Sequence, residues 1–220
     1  MGKRIALVHA VTAAMAPIAD AFRALWPEAD CVNILDDALP RDLETSGGLS
    51  PQIMTRFEAL GAYAAGVGAD GLLFTCSAFG AAIEAVARAQ PFPVLKPNQA
   101  MFDEALAHGR RIGMLATFAP SVPSMEREFA ELTASRGVSA QIETICVPGA
   151  MAALRGGDAD THNALLAQAA PQLAHCDAVM LAQFSTSRAE QAVAQRLAIP
   201  VLTAPKAAVR RLQSALNARV

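Results

Sequence analysis

The sequence predicts an α/β fold of two lobes, each a four-stranded parallel sheet flanked by helices, the two related by a pseudo-twofold. Three observations predict it. Short aliphatic and β-branched runs alternate with helix-period segments, the pattern of strands buried on both faces of a parallel sheet. Segments also recur at one spacing. "RIALVHA" (Arg4–Ala10) matches "RIGMLAT" (Arg111–Thr117), "DGLLFTC" (Asp70–Cys76) matches "DAVMLAQ" (Asp177–Gln183), and "PVL" stands at Pro93–Leu95 and Pro200–Leu202, each pair 107 residues apart. A repeat this long is a duplicated domain, not a solenoid unit. Lastly, 220 residues at 53% hydrophobic and 17% charged, rich in Ala and poor in aromatics, suit helices packed on sheets. That length makes two domains of about 100 residues each.

The elements follow in order. Strands are expected near 4–9, 30–35, 71–75 and 93–96, and again near 111–116, 141–146, 178–182 and 200–203. "SPQIMTRFEALGAYAAGV" opens a helix with Ser50 as N-cap and Pro51 at its first position. "SVPSMEREFAELTASRG" closes one at Gly137. Lobe one is 1–97 and lobe two 98–204; the last helix, near 206–218, belongs to a segment 205–220 that packs back on lobe one. "DDALPRDLETSGGLSP" (36–51) reads as a long polar loop of the kind that forms lids. The N-terminal "GKRIALVHAVTAAMA" resembles a signal peptide in its basic start and apolar run, but the same pattern recurs at Arg111, so it reads as a first strand.

Net charge is −2 with no block of Lys or Arg, which argues against a nucleic-acid partner. No apolar stretch reaches the roughly 20 residues of a membrane span. Neither a P-loop nor G-x-G-x-x-G follows a strand. Cys31, Cys76, Cys146 and Cys176 form no C-x-x-C and no zinc spacing, so the expectation is a reduced, cytoplasmic protein with no metal.

Ligands of open α/β sheets bind beyond the carboxyl ends of the strands, and with two lobes the expected site is the cleft between them. That sorts the cysteines. Cys76 and Cys146 stand at carboxyl ends; Cys31 and Cys176 stand at strand entrances and read as packing residues. Cys76 lies between Thr75 and Ser77 where a strand hands over to a helix. The helix N-terminus is expected to lower the thiol pKa and favour an anion. The flanking hydroxyls suit a carboxylate or a developing enolate. A strand-end cysteine that merely fills space has the same signature.

"GADGLLFTCSAFG", "RRIGMLATFAPSVPSMEREF" and "DAVMLAQFSTSRA" together resemble the aspartate/glutamate/hydantoin racemase superfamily, to which arylmalonate decarboxylase and maleate isomerase also belong. The resemblance spans nearly the whole chain. It implies two Rossmann-like lobes, no cofactor, and chemistry at the carbon alpha to a carboxylate. The family's racemases use one cysteine from each lobe. Cys76 matches the first, and the second falls at Gln183, whose amide has no useful pKa near neutrality. Relatives with one catalytic cysteine decarboxylate malonates, with the thiol kept in the other lobe.

Candidate roles follow from the resemblance and the strand ends. Cys76 is the acid/base group or nucleophile. Thr75, Ser77 and Thr117 hold the carboxylate, Thr117 matching a family threonine; Phe118 lines the site, and Gln183 and Ser185 bind or orient the substrate. His9, where glutamate racemases carry an acidic residue, is the candidate replacement base, titrating near neutral pH. Cys146 is a weaker candidate in an apolar "ICVPG" context, His162 reads as a surface residue at a helix start, and Lys96 as a solvated cation. The partner is a small carboxylate, amino acid or hydantoin. A racemase or isomerase is the first reading. A single-thiol decarboxylase or cis–trans isomerase, and a carboxylate-binding protein without turnover, are the alternatives. A homodimer is the ordinary expectation for such an enzyme.

Overall fold

The computed structural model describes residues 2–218. The chain forms two compact units, one running to Pro97 and taking in the chain from Ala208, the other spanning Asn98–Ala207. Each holds one four-stranded parallel sheet. In the first, β1 (Arg4–His9), β2 (Asp30–Leu35), β3 (Gly71–Phe74) and β4 (Val94–Leu95) lie in the order β2-β1-β3-β4. In the second, β5 (Arg111–Ala116), β6 (Gln141–Cys146), β7 (Ala178–Leu181) and β8 (Val201–Thr203) repeat it as β6-β5-β7-β8. The central strands are the buried ones: every residue of β3 and of β7 is buried.

Both sheets reverse their order of growth between the two central strands. After β1 the chain adds β2 on one side and β3 on the other. The carboxyl ends of β1 and β3, and of β5 and β7, are therefore topological switch points, where the loops part and leave room for a ligand. The same anchor starts each sheet. Asp70, just before β3, accepts the Arg4 N–H at 2.8 Å, and Asp177, just before β7, accepts the Arg110 and Arg111 N–H groups at 2.7 and 2.8 Å. Those backbone donors hold both carboxyls below the usual carboxylate range.

The helices are α1 (Met15–Leu25), α2 (Leu39–Thr45), α3 (Pro51–Gly66), α4 (Gly80–Ala89), α5 (Gln99–His108), α6 (Val122–Ser135), α7 (Ala150–Arg155), α8 (Ala159–Ala169), α9 (Glu190–Ala194) and α10 (Ala204–Asn217). α3 begins as its sequence indicates, with the Ser50 hydroxyl accepting the Ile53 N–H at 3.3 Å. α6 ends before Gly137, whose φ of +62° lets the chain turn off the helix. From α10, Leu212 and Leu216 reach β3 at Gly71, where a Cβ would meet Leu212 at 3.1 Å. The last two residues of the 205–220 segment lie outside the described residues.

Two differences from the sequence reading have physical causes. The 36–51 segment is not a structureless loop. It contains α2, with Leu39 buried, and Arg56 on α3 pairs with Asp36 and Asp42 on either side of it. The strands near 93–96 and 200–203 begin one residue later because Pro93 and Pro200 have no N–H, and the first also stops at Leu95; each proline still accepts a bond through its carbonyl, from Leu72 and Val179 at 2.9 Å.

Phe57 on α3 packs on Phe74 and Phe79 with ring centroids 5.1 and 5.0 Å apart. These rings form the wall behind Cys76. Phe57→Ala is expected to lower unfolding free energy by about 3 kcal/mol, the cost of a large cavity in a packed core. Urea unfolding measures the loss, and Cys76 should react faster with a thiol reagent. An unchanged midpoint would mean that the wall closes over the gap.

Candidate active site

In the first unit the switch point brings together β1, β2 and the turn after β3. β3 ends at Phe74, the Thr75 N–H bonds the Val8 carbonyl at 2.9 Å, and a 3-10 turn at Ser77–Phe79 leads into α4. Cys76 is therefore the last extended residue before the chain coils. It is part-buried and packs against the apolar cluster of Val8, Ala10, Leu39, Phe57, Phe74 and Phe79. Burial pushes its thiol above the ordinary value of 9.0, while the Ala78 N–H pulls it the other way. This corrects the expectation of a thiol lowered by the helix N-terminus. The apolar wall outweighs one amide dipole, so the resting group is the protonated thiol.

His9, the last residue of β1, has no exposed surface. Its Nδ1 lies 3.0 Å from Thr75 Oγ1 and its Nε2 lies 3.0 Å from Asn33 Oδ1 on β2. With the Asn33 oxygen accepting, Nε2 carries the proton and Nδ1 accepts from the Thr75 hydroxyl. That hydroxyl also stands 3.3 Å from the Val8 carbonyl, and its one proton serves either acceptor. Burial lowers the His9 pKa from 6.5, against a smaller raising effect of the Asn33 bond. The expectation of a histidine titrating near neutral pH is corrected accordingly: desolvation holds the ring neutral. Ser77 is half-buried and its hydroxyl has no protein partner among the described residues.

A stability prediction follows from His9. Its folded pKa lies below its unfolded value, so the stability it contributes is present above about pH 6.5 and lost as pH falls through the folded value. Unfolding measured from pH 5 to 8 should show this slope in the wild type and a flatter acid limb in His9→Gln. Equal slopes would show that His9 does not change protonation on unfolding.

In the second unit the corresponding strand ends carry Thr117 and Gln183. Thr117 is buried and directly follows β5. Its N–H and its hydroxyl both donate to Gln183 Oε1, at 3.1 and 3.3 Å. Gln183 Nε2 donates to Ser121 Oγ at 2.8 Å, and that hydroxyl donates to the Phe118 carbonyl at 2.9 Å. Thr186, wholly buried, fixes the Gln183 backbone, accepting its N–H at 3.1 Å and donating to its carbonyl at 2.6 Å. Two convergent donors on one oxygen are the geometry of a carboxylate or oxyanion seat, filled here by the chain's own amide. Phe118 is exposed at the rim, and the Arg155 guanidinium at the end of α7 lies 5.9 Å over its ring. Ser185 is buried beside Phe184 in the 3-10 turn that follows.

The remaining candidates fall elsewhere. His162 is not a surface residue: it is wholly buried in α8, with Nδ1 2.9 Å from Asn163 Oδ1 and Nε2 without a partner among the described residues. The apolar packing of α8 encloses the helix face that its sequence position assigned to solvent. Cys146 is the part-buried last residue of β6. Lys96 is paired with Glu84 at 2.9 Å rather than simply solvated. Cys176 is buried at the entrance to β7, whereas Cys31 on β2 is only part-buried. Sequence reasoning missed Asn33, Ser121 and Arg155. Only Ser121 carried a signal, standing at the start of the helix expected after Thr117.

The family model for Asp/Glu/Hydantoin racemase matches residues 9–212. No curated protein sequence matches the chain. Among solved structures, an aspartate racemase homologue from Pyrococcus horikoshii OT3 is similar at 12% identity, covering 98% of this chain and 99% of that one, with a TM-score of 0.75. Allantoin racemase from Pseudomonas fluorescens is similar at 17% identity over 99% of this chain and 92% of that one, with a TM-score of 0.67. A variant of arylmalonate decarboxylase is similar at 17% identity over 99% and 94%, with a TM-score of 0.70. At these identities the likeness is one of fold. Among the described residues no helix is long and apolar enough to cross a membrane.

Proposed function

The chain belongs to the Asp/Glu/hydantoin racemase family, and from that premise we propose a cofactor-independent isomerase acting at the carbon alpha to the carboxyl or carbonyl group of a small carboxylate, amino acid or hydantoin, with Cys76 as its acid/base group. The observation that carries the reading is the thiol itself. Cys76 ends an extended segment at a switch point, beside a free Ser77 hydroxyl and one residue after Thr75, whose hydroxyl meets the neutral His9 ring. In this reading the Cys76 sulfur exchanges a proton with the alpha carbon. The electron pair left on carbon spreads into the carboxylate as an enediolate, which hydrogen-bond donors stabilise.

The candidate donors are Ser77 in the first unit and Thr117 in the second. Thr117 is suited because its N–H and hydroxyl already meet at one oxygen. A ligand oxygen taking that place turns the Gln183 amide aside, where it orients the substrate together with Ser185. Phe118 and Arg155 give the rim an apolar face and a positive charge, which suits an anionic substrate. Thr75 spends its proton within the first unit, so it acts by orienting His9, and His9 acts through Thr75 rather than on the substrate. Both are positioning residues in this reading.

A second reading is one-sided chemistry, decarboxylation or cis–trans isomerisation. Two observations favour it: an amide stands at 183, and burial keeps the Cys76 thiol protonated. Proton NMR in heavy water, with amino acids, hydantoins, maleate and substituted malonates beside a Cys76→Ser control, tests both. Alpha deuterium with loss of optical activity supports the isomerase. Deuterium without inversion, decarboxylation, or fumarate formation supports one-sided thiol chemistry. Silence across the panel while a carboxylate still binds overturns both in favour of a pocket without turnover.

A further inference from the structure

The second sheet carries a separate cluster of donor groups at the amino-terminal ends of its strands, opposite the ends that bear Thr117 and Gln183. It begins with a glycine. In the register of the sheet, Gly113 on β5 pairs with Glu143 on the neighbouring edge strand β6 and with Val179 on β7. Paired residues of a parallel sheet face the same side. A side chain at Gly113 would therefore stand between Glu143 and Val179. Its absence lets Leu173 rest on the sheet, with Leu173 atoms 3.1 Å from where a Cβ would be. The chain then turns, the Cys176 N–H bonding the Leu173 carbonyl at 3.0 Å, and the turn delivers His175 and Cys176 to Glu143.

The outcome is a carboxylate, an imidazole and a thiol whose ligand atoms all lie within 4.8 Å of one another, with His175 Nε2 2.9 Å from Glu143 Oε2. They line an open pocket of about 560 Å³ together with Arg111, Ile112, Gln141 and Ile142. The Arg111 charge is met by Asp177 at 3.4 Å.

We propose that Glu143, His175 and Cys176 form a site for one divalent cation of the zinc class, with the pocket supplying the remaining coordination position. The donor set is the argument. One oxygen, one nitrogen and one sulfur suit a borderline-soft ion and disfavour magnesium or calcium, which take oxygen alone. A carboxylate and a thiolate balance a double positive charge. Metal–ligand distances of about 2.0–2.3 Å in a tetrahedron place ligand atoms roughly 3.3–3.8 Å apart. Glu143 and His175 are half-exposed, so rotation of their side chains closes the difference. The ion would tie the edge strand β6, which pairs with β5 alone, to the entrance of β7. This proposal is independent of the chemistry at Cys76.

The test is a titration of chelator-stripped full-length protein with cobalt(II), followed by displacement with zinc. The expected result is one equivalent bound, with a thiolate-to-cobalt charge-transfer band and the visible bands of a four-coordinate ion. Cys176→Ser should abolish the band and Cys31→Ser should keep it. His175→Gln and Glu143→Gln should each weaken cobalt binding about tenfold or more. Both replace half-exposed side chains, so they carry the test if Cys176→Ser does not fold, and zinc should raise the melting temperature of the wild type but not theirs. No thiolate band, a band that survives Cys176→Ser, or affinities within twofold in both exposed variants would overturn the site.

Discussion

Cys76→Ser is expected to slow exchange of a substrate alpha proton for deuterium by about 10²–10⁴-fold, the range a positioned acid/base group contributes. Serine has nearly the same shape, so the part-buried site and its aromatic wall keep their packing. A matching melting temperature would show that the loss is chemical. The pH profile then reports which form of the thiol works. Burial raises the Cys76 pKa above 9.0, so the thiol dominates from neutral pH to beyond that value. If the thiolate removes the proton, as in the isomerase reading, the rate climbs about tenfold per pH unit and levels only above 9.0. If the thiol donates, as in a decarboxylase, the rate is level through neutral pH and falls above 9.0. A Cys76→Ser variant with wild-type exchange would remove the thiol from the reaction altogether.

The profile matters because the sequence pointed to the opposite shift. The T-C-S tripeptide at the start of a helix suggests a lowered thiol. Burial reverses it: beside the neighbouring Phe74 and Phe79, the wall takes in Phe57 from α3 and Leu39 from α2. Neither Phe57 nor Leu39 is near Cys76 in sequence, and α2 lies in a segment whose polar composition hid its helix. The same division runs through the molecule. The strands and their positions along the chain followed from local apolar runs and the 107-residue repeat, whereas their order in each sheet came from the pairing; Asp70 and Asp177 recur in that repeat because each anchors the start of a sheet. Thr117, Gln183 and Cys76 could be singled out because they stand within two residues of a strand's carboxyl end. Asn33 could not, since its bond to His9 depends on the pairing of β2 with β1. Arg155 reaches Phe118 only through the path of α7, and the turn that carries His175 and Cys176 to Glu143 depends on the missing side chain of Gly113. Contacts set by register and by helix placement have no local signature.

Gln183→Cys is the change that separates the two chemical readings. The family resemblance implies one thiol from each half of the chain, and this substitution restores that pattern at the strand end of β7. It also removes the acceptor for the Thr117 N–H and hydroxyl and the donor to Ser121. Each lost bond costs roughly 1 kcal/mol, so some destabilisation accompanies the gain of the thiol. Gln183→Ser loses much the same set without gaining a thiol and is the proper reference. Inversion of a chiral substrate is expected to run about 10²–10⁴-fold faster in Gln183→Cys than in Gln183→Ser, the contribution of one acid/base group. Adding Cys76→Ser to Gln183→Cys should cancel the gain, because two-sided proton transfer needs a group on each face of the carbon. Optical rotation measures inversion, and deuterium content measures exchange on the same sample. Equal inversion in the Cys and Ser variants would mean that position 183 does not face the alpha carbon, and the amide would then be a structural clamp on Thr117 rather than a substrate ligand.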